Sequence, residues 1–201
     1  MAAVVTTMVG VAEAEEVCSL AFMKTAGVVD ADLTADDEFL QTAVVAAREM
    51  CEQELGRSIG RQTLRLTLDA FPSNGEPIKL LRPPVVEIVS VSYRDTTGAA
   101  RTLESSGYTL DSASRYGAHW LLPAFDADWP QTLAGAANAV TITYLAGYSP
   151  TDVPRAVRMW IAVQAATMNR FRELATEKPV SAVGFYARLL DQFRVAEERV
   201  L

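Results

Sequence analysis

Hydrophobic positions recur along this chain with two different periods, and the places where the period changes divide it. From about residue 36 to 55, Leu40, Ala43, Val44, Ala47, Met50, Cys51 and Leu55 fall at three- and four-residue steps, which predicts a helix. Thr34 is placed to cap it, Asp36, Asp37 and Glu38 suit the positive end of its dipole, and Gly56 is a fitting stop. A second long helix is predicted over 153–174, where Arg158, Gln164 and Thr167 are the only polar side chains between Ala156 and Met168. Its apolar residues point around most of a turn, and each large one is worth roughly 1.5–3 kcal/mol when buried. Such a helix needs cover on at least two sides. Thr151 and Asp152 offer capping oxygens ahead of it, Pro154 suits its first turn, and Lys178-Pro179 follows as a break. A shorter helix is expected over 11–24, preceded by a loose arm of ten small, apolar residues.

Between the two long helices the period is two. Leu64, Leu66 and Leu68 alternate with Arg65 and Thr67, and Val140, Ile142 and Tyr144 with Thr141 and Thr143. Shorter strands are predicted at 78–81, 85–93, 102–103, 108–111 and 119–122, with Asp95-Thr96-Thr97-Gly98 as a hairpin turn. Residues 123–135, carrying Asp126, Asp128, Trp129 and Pro130, read as an ordered loop. After Pro179, Val183, Tyr186, Leu189, Leu190, Phe193 and Ala196 form one stripe over 182–201. The predicted fold is α+β: a helical bundle with long helices near 36–55 and 153–174, an inserted β-rich module at 62–147, and a C-terminal amphipathic helix. The whole of 1–201 is expected to form one domain, with an arm and helices in 1–56.

Composition narrows the function. The chain has 201 residues, half of them hydrophobic, and a formal net charge of −7, which argues against a grip on nucleic-acid phosphates. The first ten residues lack a basic start, and Glu13, Glu15 and Glu16 interrupt the apolar run, so no secretory leader is predicted. No run approaches the length of a membrane span. Cys18 and Cys51 read as reduced, buried thiols. One histidine and two cysteines cannot assemble a zinc site, and the acids opening the 36–55 helix read as dipole partners rather than metal ligands. No cofactor fingerprint or phosphate loop occurs. Residue types alone permit His119 with Cys51 or Ser149 as a small hydrolase or thiol enzyme, but no local signature supports it. Arg155, Arg158, Arg170 and Arg172 on the long helix and Arg188, Arg194 and Arg199 on the tail suit protein interfaces, where the planar head pairs with carboxylates, or else are solvated charge.

Several stretches taken in order carry a family resemblance. They are Ala46-Ala47-Arg48-Glu49-Met50-Cys51-Glu52 with Gly56-Arg57, Leu81-Arg82-Pro83-Pro84-Val85, Val89-Ser90-Val91-Ser92-Tyr93-Arg94-Asp95 with Gly98, Trp129-Pro130, Val140-Thr141-Ile142-Thr143-Tyr144-Leu145-Ala146-Gly147-Tyr148, and Val153-Pro154. This ordered set resembles the head-tail connector (adaptor) proteins of tailed bacteriophages and gene transfer agents, over roughly residues 11–174. The resemblance implies a non-catalytic ring of about a dozen copies below the portal protein, through which DNA passes to the tail without specific binding. On this reading the chain resides in the particle's neck after synthesis in the host cytoplasm, and its partners are itself, the portal and a tail terminator or stopper protein. The tail stripe is expected to dock on the portal through Leu189 and Phe193, with Arg188 and Arg194 as clamps, or else to pack on its own bundle. Val157, Trp160 and Ile161 are expected at subunit contacts. The alternatives are the small enzyme above and a protein-binding module unconnected with virions.

Overall fold

The computed structural model describes residues 5–11, 17–27, 29–32, 34–113, 117–171 and 188–195, the first of these by backbone alone. The chain separates into two compact units. One comprises Arg61–Gly147 with the N-terminal strand; the other draws on Ala14–Gly60 and Tyr148–Arg194.

Among the described residues, the first unit contains eight antiparallel strands: β1 (Val5–Val11), β2 (Gln62–Leu68), β3 (Ile78–Leu80), β4 (Val85–Arg94), β5 (Ala100–Leu103), β6 (Tyr108–Asp111), β7 (His119–Pro123) and β8 (Val140–Ala146). They form a five-stranded sheet in the order β1-β2-β8-β4-β5 and a three-stranded sheet in the order β3-β7-β6. The alternation in β2 and β8 sends Leu64, Leu66, Leu68, Val140, Ile142 and Tyr144 inward, where they meet Ile78, Leu80 and Leu121 of the smaller sheet in one cluster. Leu66 pairs directly with Ile142 across the ladder. Buried polar atoms in this core find partners: the Tyr144 hydroxyl donates to the Leu81 carbonyl at 2.9 Å, and the Trp129 indole N–H to the Glu76 carbonyl at 2.8 Å. Phe71 stacks flat on Trp129 at 5.1 Å and meets Tyr93 edge-on. The Asp95 carboxylate organises the predicted hairpin, accepting from the Thr97 and Ala99 amides, the Thr97 hydroxyl and the Arg101 guanidinium. Gly98, at φ +84°, supplies the left-handed residue there.

Residues 5–11, expected as a loose arm, are instead strand β1, running antiparallel to β2 from Val5↔Thr67 to Val11↔Gln62. The other side of β2 belongs to β8, so β1 takes up a row of backbone groups that would stand unpaired. The helix expected over 11–24 is correspondingly displaced. Val11 closes β1, residues 12–16 lie outside the described residues, and helix α1 is Leu20–Ala26, capped by the Ser19 hydroxyl.

The second unit packs α1, α2 (Asp37–Leu55) and α3 (Arg155–Arg170) against one another. Leu40, Ala43, Val44, Ala47, Cys51 and Leu55 of α2 turn inward as expected, but Met50 lies on the exposed side. Gly56 ends α2 in the left-handed conformation at φ +65°. Thr34 does not cap α2 through its hydroxyl; its carbonyl accepts from the Asp37 amide, and Asp36 stands at the cap position. Nor do Thr151 and Asp152 cap α3. Their side chains are taken up with Ser149 in the preceding turn, and Pro154 occupies the cap. The helix predicted over 153–174 is observed from Arg155 to Arg170; residues 172–174 lie outside the described residues.

A polar seam ties the second unit together. Glu52, buried, accepts the Ile59 amide at 2.8 Å and the Gly60 amide at 3.2 Å and pairs with Arg48 at 3.3 Å. Lys24 joins Asp37 at 2.7 Å and donates to the Ala31 carbonyl. These bonds fix the loop leaving α2 and the short α1 onto the longer helices, each buried charge having an opposite charge to offset its desolvation.

Candidate functional site

Three groups of residues qualify as a site: the C-terminal segment, the long α3 helix, and the side chains capable of chemistry. In the C-terminal segment, residues 188–195 form a short 3-10 turn at Asp191–Phe193 in place of a continuous α-helix, and the remainder of 182–201 lies outside the described residues. Leu190, at 0% exposure, is inserted among the residues of α2 and α3, and Phe193 packs half-buried beside it. The Arg57 guanidinium donates to the Phe193 carbonyl, and Arg194 pairs with Glu54 and Asp191. Of the four expected docking residues, Arg188 is exposed and Leu189 half-buried, whereas Phe193 and Arg194 are engaged with their own unit. The apolar stripe of the tail is thus satisfied at Leu190 and Phe193 from within the chain.

The same holds for α3. Its buried residues include Val157, Trp160 and Ile161, the three expected at subunit contacts. All three belong to the core that α3 shares with α1 and α2, which supply its cover on two sides. Ile161, with no exposed surface, has none to present to a neighbour. The reason is geometric: Ala43 and Ala47 of α2, both buried, allow close approach along one flank, and Met23 of α1 fills in along another. What α3 leaves outside is Met159, and the helical unit further exposes Phe22, Phe39, Val45, Met50 and Phe171.

Among the described residues, Cys18, Cys51, His119 and Ser149 are each buried or already hydrogen-bonded. Cys51 is buried, and its thiol is pushed up to about 12 by that burial and by the nearby Glu54 and Glu52 carboxylates, so it carries no thiolate at neutral pH. Cys18 is likewise buried and forms no disulfide. His119 sits on β7 in the β unit, its Nδ1 accepting the Val85 amide at 3.1 Å, while Ser149 is bound to Thr151 and Asp152 in the helical unit. A ring nitrogen that accepts a backbone hydrogen bond is occupied in holding β4 to β7 and takes no proton from a nucleophile. Among the described residues no group of three or more His, Cys, Asp or Glu side chains is placed to hold a metal ion, and no helix is long and apolar enough to cross a membrane.

Two features of the β unit carried no sequence signal. Phe125 stands fully exposed, at 101%, on a turn in the loop between β7 and β8. A cleft of about 740 Å³ is lined by Leu68, Phe71, Pro72, Ile78, Lys79 and Leu81. A lone phenylalanine in a loop has no periodicity to betray it, and the cleft's walls come from β2, β3 and the turn joining them.

Neither a protein-family model nor a curated protein matches the sequence. Solved structures do. A chain in the neck of an empty GTA particle computed with C6 symmetry aligns at 21% identity and a TM-score of 0.76, covering 96% of each chain. A chain in the virion of a native gene transfer agent (GTA) particle aligns at 20% identity and a TM-score of 0.76, with the same coverage. A chain in the neck of a native GTA particle computed with C12 symmetry aligns at 21% identity and a TM-score of 0.68, covering 98% of this chain and 96% of that one. The α+β architecture described above, with its two antiparallel sheets and three helices, is therefore a fold that this chain shares over nearly its whole length with components of gene transfer agent necks and virions.

Proposed function

We propose that this protein is a structural head-tail connector of a tailed phage or phage-like particle, forming a ring in the neck below the portal through which DNA passes to the tail. The observation that carries this reading is the near-complete coverage, in both directions, between this chain and chains of GTA necks. Sixfold and twelvefold symmetry in those necks favours a ring of about a dozen copies here, since repeated identical contacts close most simply as a cyclic ring. The net charge of −7 suits a channel that lets DNA slide past without holding it. On this reading the chain works as one connector domain, with a helical bundle and a β-rich insertion, and it is made in the host cytoplasm before joining the virion. It is not a catalyst, in keeping with the protonated Cys51 and the occupied His119 and Ser149.

The portal and a tail terminator or stopper are the proposed neighbours above and below. Among the described residues of the tail segment, Arg188 and Leu189 are the proposed portal contacts, with Phe193 and Arg194 holding the segment against α2 and α3. Deleting the gene and imaging the products tests the proposal. DNA-filled heads that lack tails are expected, and intact tailed particles without this chain would refute it.

A further inference from the structure

The outer sides of α2 and α3 carry opposite charge around apolar centres. On α2, Glu38, Val45 and Glu49 stand at steps of seven and four residues, one exposed stripe opposite the buried Ala43 and Ala47. On α3, Met159 follows Arg155 by four residues and Arg170 follows Met159 by eleven, so all three lie on the side away from the buried Val157, Ile161 and Ala165. The two helices bury their inner stripes in one shared core, so the outer stripes stand on separate sides of the helical unit. Their charges are lopsided: α3 has three arginines and no acid, whereas α2 has five acids and one arginine. Among the described residues, Glu38, Glu49 and Arg155 have no ion-pair partner. Arg155 is also the first residue of α3, at the positive end of the helix dipole, with no acid in that turn to offset it. A charge kept where its own helix disfavours it points to a partner outside that helix.

We propose that the outer stripe of α3 in one copy packs on the outer stripe of α2 in the next copy around the ring, Met159 against Val45, with Arg155 and Arg170 meeting Glu38 and Glu49. The two acids are about 16 Å apart along their helix and the two arginines about 22 Å along theirs, a difference that two long arginine side chains can take up. A foreign partner would use only one of these stripes, whereas a second copy uses both. Pairing like with like, α2 on α2 or α3 on α3, would set acid against acid or arginine against arginine. The contact is therefore heterologous, the kind from which cyclic rings are built, rather than a two-fold pairing of one patch with itself. The inference rests on the ring reading given above and adds the surfaces through which neighbouring copies meet.

Disulfide trapping in assembled particles tests it. Val45→Cys and Met159→Cys both alter exposed positions, and the native Cys18 and Cys51 are buried, so the background is low. Particles assembled with the double variant and then oxidised should yield a ladder of covalent multimers that reducing agent collapses, and either single variant should stay monomeric. Charge reversal is the second arm. Arg155→Glu with Arg170→Glu should cut incorporation of the chain into necks by at least roughly 10-fold, as should Glu38→Arg with Glu49→Arg, and all four changes together should restore it. Monomers alone from double-cysteine particles, a dimer from either single variant, a crosslink to a different particle protein, or reversed stripes that fail to rescue one another would each overturn the contact. The two readings fail separately: wild-type chain missing from the necks removes the connector assignment, while chain present in the necks without a ladder removes only this contact.

Discussion

Replacing Leu190 by alanine distinguishes a tail segment that belongs to the fold from one held in reserve for a partner. Leu190 has no exposed surface and lies in a cluster with residues of α2 and α3, so the substitution removes buried methyl groups and leaves a void that the surrounding helices fill only in part. Changes of this kind cost about 2–5 kcal/mol. For a chain of this length each kcal/mol moves the melting temperature by roughly 2–4 °C, so a fall of about 4–20 °C is expected. The signal to follow is far-UV circular dichroism at 222 nm, where α1, α2 and α3 dominate. Arg188→Ala, two residues earlier and exposed, is the control and should shift stability by no more than about 0.5 kcal/mol. Neighbouring bonds add little to this margin, since the Arg194–Glu54 pair is partly exposed and such pairs contribute about 0–1 kcal/mol. A Leu190→Ala protein that melts with the wild type would show that the segment is not anchored in the helical core, and would return it to the pool of free docking elements.

Glu52→Ala strips a buried arginine of its counter-charge and the Ile59 and Gly60 amides of their acceptor; a loss of about 3–5 kcal/mol is expected in urea titration, with Glu52→Gln falling between it and wild type because the amide oxygen still accepts. Phe71→Ala should cost about 3–5 kcal/mol and red-shift tryptophan emission as Trp129 loses its stacking partner. Cys51 should resist iodoacetamide at pH 8.5 in the folded protein and react once unfolded. Its thiol stays protonated in the native state up to about pH 12 but ionises near its ordinary value of 9.0 when unfolded, so the unfolded chain binds fewer protons in that window and native stability should decline as pH rises through it. A Cys51→Ala protein with the same alkaline decline as wild type would argue against this assignment.

The β strands were legible because period-two patterns such as Leu64-Arg65-Leu66-Thr67-Leu68 need one buried face and one outer face, and the sheet supplies both. β1 was not legible. Val5-Thr6-Thr7-Met8-Val9-Gly10-Val11 has no clean alternation, its register shifts between Met8 and Gly10, and its partner lies far along the chain, so nothing local marks it as a strand. The demand of α3 for cover on two sides was readable from Val157, Trp160 and Ile161, but composition cannot say whether the cover comes from the same molecule or a neighbour. The short α1 and the alanine flank of α2 provide it internally. A similar ambiguity governed the tail, where one stripe joined Leu189, Leu190 and Phe193 although Leu190 alone among them is fully enclosed. Phe125 was invisible for the opposite reason: exposure is decided by the path of a loop, and residue type gives no hint of it.

The antiparallel pairing of Gln62 with Ala146 places the first residue of β2 directly across from the last residue of β8. Nearby, the Tyr148 amide bonds to the Ile59 carbonyl at 3.0 Å, so the chain leaves and rejoins the helical unit at almost the same point. A segment whose two ends meet like this behaves as a cassette. Cutting it out and bridging Gly60 to Tyr148 with a few glycines should leave the three helices able to fold, with β1 stranded as the sole casualty. Exchange of the cassette between related chains would then be a route by which one helical unit comes to carry a different β unit.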